Sequence, residues 1–231
     1  MAGEESIIFW AGAVIFLLSA AYFLFSESRM KSGKWAFQDE TFVSFFTVAS
    51  YVVMALGLSV TTSADGQPIY WTRWLFYIAS CAILATEVAR IAGKRLAEIV
   101  EVAILIGLVM LLGFLASAVN GPEKWLFFGL STLAYLGMLA LLLRWEAPDY
   151  RPFRGRVMGF IILFWSLFPV VWVLAPTGFG LISPPVEALL YGLLDVITKI
   201  GFGLYVLYSI KTADIPGRQK MAMRTESAPG Q

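Results

Sequence analysis

The chain contains no histidine, and its 231 residues include one cysteine, Cys81. Without histidine there is no imidazole general base, and a haem or zinc centre loses its commonest ligand. A single cysteine excludes an intrachain disulfide. Charge is scarce as well: 14% of residues are Asp, Glu, Lys or Arg, and the net charge is +1. That balance suits neither a nucleic-acid partner nor a strongly acidic substrate, and no metal site is expected. Apolar surface is what the chain has in plenty. Hydrophobic residues make up 59% of it and aromatic residues 15%, above the roughly half that a soluble domain carries. The expectation is a helical integral membrane protein, because a helix satisfies its own backbone polar groups in lipid.

A helix crossing about 30 Å of hydrocarbon needs roughly 20 predominantly apolar residues. Runs of that kind lie at about 7–26, 41–60, 70–90, 97–119, 125–144, 157–175 and 187–210, separated by segments rich in turn residues and charge such as TTSADGQP and RIAGKR. The N-terminal MAGEESIIFW has acidic but no basic residues before its apolar run, unlike a cleaved signal peptide, so that run is read as the first permanent span. Seven spans place the termini on opposite sides. Of the seventeen basic residues, Lys124 lies in a loop on one side, Arg73 and Lys199 lie within spans, and all the others fall in loops one, three and five or in the C-terminal tail. By the positive-inside rule the C-terminus is cytoplasmic and the N-terminus outside, as a multi-pass protein of the plasma membrane. Residues 1–211 read as one seven-helix transmembrane domain, and 212–231, with Pro216 and Pro229, as a short disordered cytoplasmic tail.

The last span, LLYGLLDVITKIGFGLYVLYS, holds Asp195 and Lys199 amid apolar neighbours. Four residues apart, they share one face of a helix. A structural ion pair is one reading; the other is functional, since ionisable groups inside a membrane span mark functional sites by default. A buried lysine amine is readily desolvated and can form a Schiff base with an aldehyde. The protonated form is a fixed cation, and at an effective dielectric near 20 a carboxylate about 4 Å away stabilises it by roughly 4 kcal/mol.

Seven spans with a lysine in the last, preceded at four residues by an aspartate, resemble the microbial rhodopsins. YWTRWLFYIASC (70–81) is similar to their third helix, FWSLFPVVW (164–172) to their sixth and LDVITKIGFG (194–203) to their retinal-binding signature; FFGLSTLAY (127–135) is a weaker match to the fifth. The resemblance implies a seven-helix bundle of that type, with all-trans retinal joined to Lys199 as a Schiff base and walled by Tyr77, Trp165, Phe168, Pro169 and Trp172. It places Ser131, Thr132 and Tyr135 near the ring end. Phe168 stands where the family usually has a tyrosine, which removes a hydroxyl from the aspartate's surroundings.

Helix three separates the subfamilies. After Arg73, the positions that carry a carboxylate, a hydroxyl and a second carboxylate in outward proton pumps are Phe76, Ser80 and Glu87. Offsets of four and eleven residues keep the three on one helix face, with Phe76 and Glu87 about 16 Å apart along the axis. Phenylalanine cannot accept a proton. The set Phe76, Ser80, Cys81 and Glu87 resembles the schizorhodopsins, light-driven inward proton pumps. That resemblance implies Asp195 as sole counterion, Cys81 beside the Schiff base, release towards the cytoplasm assisted by Glu87, and uptake past Asp195 and Arg73. Bland readings stand beside these: Cys81 as buried packing, Glu87 as an interfacial residue near Arg90. Glu187 reads as a solvated helix cap or as part of the uptake path, and Glu98 and Glu101 as surface charges. The chain is then not an enzyme; its partners are the bilayer and protons, and the family suggests a homotrimer. A sensory or antenna rhodopsin without net transport is the alternative, and a transporter or receptor with a structural Asp–Lys pair is the rival of a different class.

Overall fold

The computed structural model of the chain describes residues 3–29, 38–58, 60–62, 66, 68–146 and 153–205. Seven helices make up most of them. Five are continuous: α1 (Glu4–Arg29), α2 (Gln38–Ala55), α3 (Trp71–Ile91), α4 (Leu96–Ala118) and α5 (Glu123–Leu143). The sixth, α6, passes from a π-helical Phe153–Met158 into Gly159–Trp165 and then Leu167–Leu174. The seventh, α7, runs through Pro184–Asp195 into a π-helical Val196–Gly201 and on to Tyr205. Successive helices pack side by side, and α7 returns to α1, α2 and α6 to close the bundle. The seven-helix bundle is the one the apolar runs lead one to expect. The segment 206–210 and the tail 212–231 lie outside the described residues, as do Lys31, Lys34, Arg151, Lys211, Arg218, Lys220 and Arg224.

Among the described residues six helices are long and apolar enough to cross a bilayer; α2 is not one of them. The reason is its inverted pattern. It buries Glu40, Ser44, Thr47 and Ser50 and turns Phe42, Phe45 and Phe46 outwards, as a helix does when lipid is outside and polar groups are kept within the bundle. α1 is arranged the ordinary way, burying Phe9, Ala13, Phe16, Ala20 and Phe23 at the i, i+4, i+7 spacing of one helical stripe.

Glycines set two of the helix ends. Gly57 has φ 68° and Gly93 φ 66°, the left-handed conformation that terminates helices. Around Gly93 the Lys94 N–H donates to the Ala89 carbonyl and the Gly93 N–H to that of Arg90, both at 2.9 Å, which makes the tight α3–α4 turn. Gly57 stops α2 well short of residue 60, where the apolar run ends. The connection to α3 includes a short hairpin: β1 (Val60–Thr62) pairs antiparallel with β2 (Pro68–Tyr70), Val60 opposite Tyr70. Branched and aromatic residues favour the strands, and Pro68 is tolerated because it opens β2. A further departure is in α6, which breaks at Ser166 because Pro169 has no N–H for the Trp165 carbonyl four residues back.

Candidate functional site

Asp195 and Lys199 lie where the α-helical part of α7 passes into its π-helical part, a distortion that frequently marks functional sites. They are 1% and 3% exposed. Lys199 Nζ donates to Asp195 Oδ1 at 2.5 Å. The other oxygen, Oδ2, accepts from the Tyr77 hydroxyl at 2.8 Å and from the Tyr51 hydroxyl at 2.9 Å. Three helices thus converge on one carboxylate, which offsets the cost of burying it. Lys199 Nζ also stands 4.1 Å from the centre of the Tyr77 ring, where a cation is attracted to the aromatic face. Phe168 does lack a hydroxyl, but Asp195 is not left short of donors. Tyr77 from α3 and Tyr51 from α2 supply them.

Beside Lys199 is a cavity lined by Tyr77, Cys81, Tyr135, Trp165, Phe168, Pro169 and Thr198 together with aliphatic side chains. Mostly apolar walls with a few convergent polar groups are the usual make-up of small-molecule sites. An elongated apolar aldehyde fits this chemistry, with a single amine at hand for attachment. The Pro169 break leaves Ser166 Oγ 3.0 Å from the Tyr135 hydroxyl, which ties α6 to α5 along the wall. Trp172 is not among the lining residues. It is buried, its Nε1 donating to Ser117 Oγ at 2.8 Å and its ring stacked on Phe128 at 4.5 Å. Ser131 and Thr132 are not lining residues either; their hydroxyls donate to the carbonyls of Val109 and Phe128, both at 2.9 Å.

Towards the β-hairpin end, Arg73 lies 3.4 Å from Glu187 and over the Tyr191 ring at 4.5 Å. Glu187 does occupy the first turn of α7, but its side chain faces Arg73 instead of forming a solvated cap. Phe76 is half-buried against Phe46, ring centres 6.4 Å apart, and is not a lining residue. Ser80 and Glu87 are both 1% exposed, so these two positions of α3 point inwards. Glu98 pairs with Lys94 at 3.8 Å and Arg95 at 3.7 Å, and Glu101 is exposed.

Two residues of α2 escape the sequence reading. Tyr51 is one, and Glu40, also 1% exposed, is the other. Their signal is present: Glu40, Ser44, Thr47 and Tyr51 follow the spacing of one helix face. Glu40 is obscured because the apolar run begins only at residue 41.

The geometry is that of a buried amine, its carboxylate partner and an apolar cavity, and the comparisons with known proteins agree. Residues 3–213 match the family described as bacteriorhodopsin-like proteins. The structure of schizorhodopsin 4 superposes with a TM-score of 0.79 at 36% identity, covering 87% of this chain and 97% of that one. The thermophilic rhodopsin from Rubrobacter xylanophilus gives 0.84 at 27% identity, covering 95% and 99%. Sensory rhodopsin-2 of Natronomonas pharaonis is 26% identical, covering 96% of each chain. The chain therefore belongs to the bacteriorhodopsin-like family and is a microbial rhodopsin similar to the schizorhodopsins.

Proposed function

We propose that the chain is a light-driven inward proton pump of the plasma membrane, carrying all-trans retinal as a protonated Schiff base on Lys199. Family membership implies retinal held on a lysine, and Lys199 is the lysine that lines the apolar cavity. Bound there, retinal supplies absorption of visible light and an isomerisation to the 13-cis form that re-aims the Nζ proton. Asp195 holds the positive charge in the dark. Tyr77, Trp165, Phe168 and Pro169 wall the cavity and exclude water from it.

The inward direction is carried by one observation, the placement of carboxyl groups about Lys199. On the hairpin side α3 offers Phe76, which cannot take a proton, and Asp195 already accepts three hydrogen bonds. On the opposite side Glu87 is fully buried on the same helix, about 9 Å further along the axis than Cys81 by the helical rise. The distribution of basic residues makes the hairpin end extracellular. A proton leaving Nζ then passes towards Glu87, which accepts it or orders the water that does. Uptake from outside runs past Glu187, Arg73 and Asp195. The likeness to schizorhodopsin 4 supports this direction. The chain works as a transporter and not as an enzyme, and a homotrimer in the bilayer is part of the same proposal, checked by cross-linking in membranes.

A second reading has its own support, because curated relatives include sensory rhodopsins. It predicts colour without transport. The deciding experiment illuminates an unbuffered suspension of cells expressing the chain with retinal, with and without a protonophore. An external pH rise that the protonophore abolishes supports inward pumping. A fall means outward pumping and overturns the weight placed on Phe76. A coloured sample with no pH change shifts the function to sensing or light harvesting.

A further inference from the structure

Glu40 is a buried carboxyl-bearing residue for which the proposed cycle has no use. It stands in the first turn of α2 beside Asp39, and the two are treated differently by the fold. Asp39 reaches out to pair with Arg90 at the end of α3, as an acid at a helix N-terminus commonly does. Glu40 turns inwards and is 1% exposed. Room for it is made by α7: a Cβ at Gly203 would lie 2.8 Å from Glu40 Cγ and 2.7 Å from the Phe23 ring.

The Asp39–Arg90 pair also fixes the depth of this position. Glu40 is one residue deeper than Asp39, and Glu87 three residues deeper than Arg90. At the helical rise the two acids start within about 3 Å of the same level. Val43, one turn on from Glu40, packs in the same core as Leu84, Val88 and Phe202. Both acids therefore flank one layer of the bundle, Glu87 from α3 and Glu40 from α2.

A row of hydroxyls leads from this layer to the site. Positions 40, 44, 47 and 51 fall within about 60° of arc on α2 at 100° per residue. Tyr51 ends the row at Asp195, Thr47 and Ser44 are 2% exposed, and Ser44 meets Ser19 of α1 at 3.2 Å. Helices α2 and α7 run antiparallel, with Tyr51 level with Asp195 and Glu40 level with Gly203, so Thr47 and Ser44 lie between. A hydroxyl both donates and accepts; Thr47 donates to the Val43 carbonyl at 2.7 Å, so a proton passes along the row only with water between the hydroxyls. Thr198, next to Lys199, contributes one more hydroxyl at the cavity wall.

We propose that Glu40 is a second proton-carrying carboxyl of the route from Lys199 to the cytoplasmic side, acting beside Glu87. This rests on the pump reading. In the step, an N–H bond at Lys199 Nζ breaks and an O–H bond forms on a Glu40 carboxylate oxygen, the proton being relayed by water and the hydroxyls of Thr47 and Ser44. That proton is then given up to the cytoplasm, while Nζ regains one from the Asp195 side. No electrons change hands.

The test uses the full chain with retinal in membranes and reads two signals, the initial rate of light-driven pH change and the light-minus-dark infrared signal of protonated carboxyl groups. Glu40→Gln is expected to keep the visible band, to lower the pumping rate by at least about tenfold, on the scale of one positioned proton-transfer group, and to lose one carboxyl signal. Glu40→Asp is expected to restore much of the rate and to shift that signal in frequency. If Glu40→Gln fails to assemble, the Glu40→Asp shift decides the question in its place. Wild-type rate with an unchanged infrared spectrum in Glu40→Gln, or an unshifted signal in Glu40→Asp, overturns the role of Glu40 and leaves the pump reading standing. A wild type that moves no protons yet shows the Glu40 signal overturns the pump and retains Glu40 as a proton acceptor.

Discussion

Asp195 is held by donors from α2, α3 and α7, so the fold itself supplies its hydrogen-bond partners. Removing one hydroxyl leaves a buried carboxylate lone pair without its partner, which costs about 1–3 kcal/mol. Tyr51→Phe and Tyr77→Phe are each expected to lower the temperature at which the visible band is lost. Because both donate to the same oxygen, the double variant is expected to depart from the sum of the two, as residues sharing a partner do. Thermal bleaching of the single and double variants checks this. Lys199→Ala makes the sharper claim. Purified with retinal it is expected to show no visible band, and a coloured Lys199→Ala protein would remove Lys199 as the attachment point.

The elements meet closely at a few glycines. A Cβ at Gly113 of α4 would lie 2.7 Å from the Trp74 ring of α3, whereas one at Gly107 on the same helix would meet nothing within 4 Å. Gly113→Ala is expected to destabilise by about 1–3 kcal/mol through overpacking. Gly107→Ala is expected to be neutral or to stabilise by up to about 1 kcal/mol, from helix propensity. Thermal melts of the pair in one detergent decide this; a stable Gly113→Ala would mean that α3 and α4 can separate without penalty. The elements also show how much the sequence discloses. Helices α3 and α7 are legible because their polar residues are few and spaced along one face, and Pro169 advertises a weakness in α6 even though the break itself appears at Ser166. Helix α2 is the least legible. Hydropathy averages over all sides of a helix, and in α2 a polar inner face is averaged with an apolar outer one. Tyr51 and Glu40 are lost in that average, and with them one of the carboxylate's tyrosine donors and the second inward acid. Trp172 is a different case: the motif places it at the cavity, and the folded chain adds a hydrogen bond from its indole to Ser117.

For the whole molecule the decisive property is its orientation, since the same photochemistry reverses its meaning if the bundle is inverted. Thr61 in β1 and Ala97 at the start of α4 are both exposed and lie at opposite ends. In intact cells a membrane-impermeant maleimide is expected to label Thr61→Cys, and to label Ala97→Cys only after lysis. The native Cys81 lies inside the bundle on the cavity wall and should contribute little background. The reverse pattern would make the pump reading an outward one. A different consequence of α2 concerns how the molecule is made. Released alone into lipid, this helix would expose a run of hydroxyls and, in its first turn, a carboxylate-bearing residue, and polar groups left facing hydrocarbon are costly. Helix α1 precedes it in synthesis, packs along it and meets it at Ser19 and Ser44. The two are therefore expected to leave the translocation channel as a hairpin. The inward-facing polarity used for transport would then make the second helix dependent on the first for its place in the membrane.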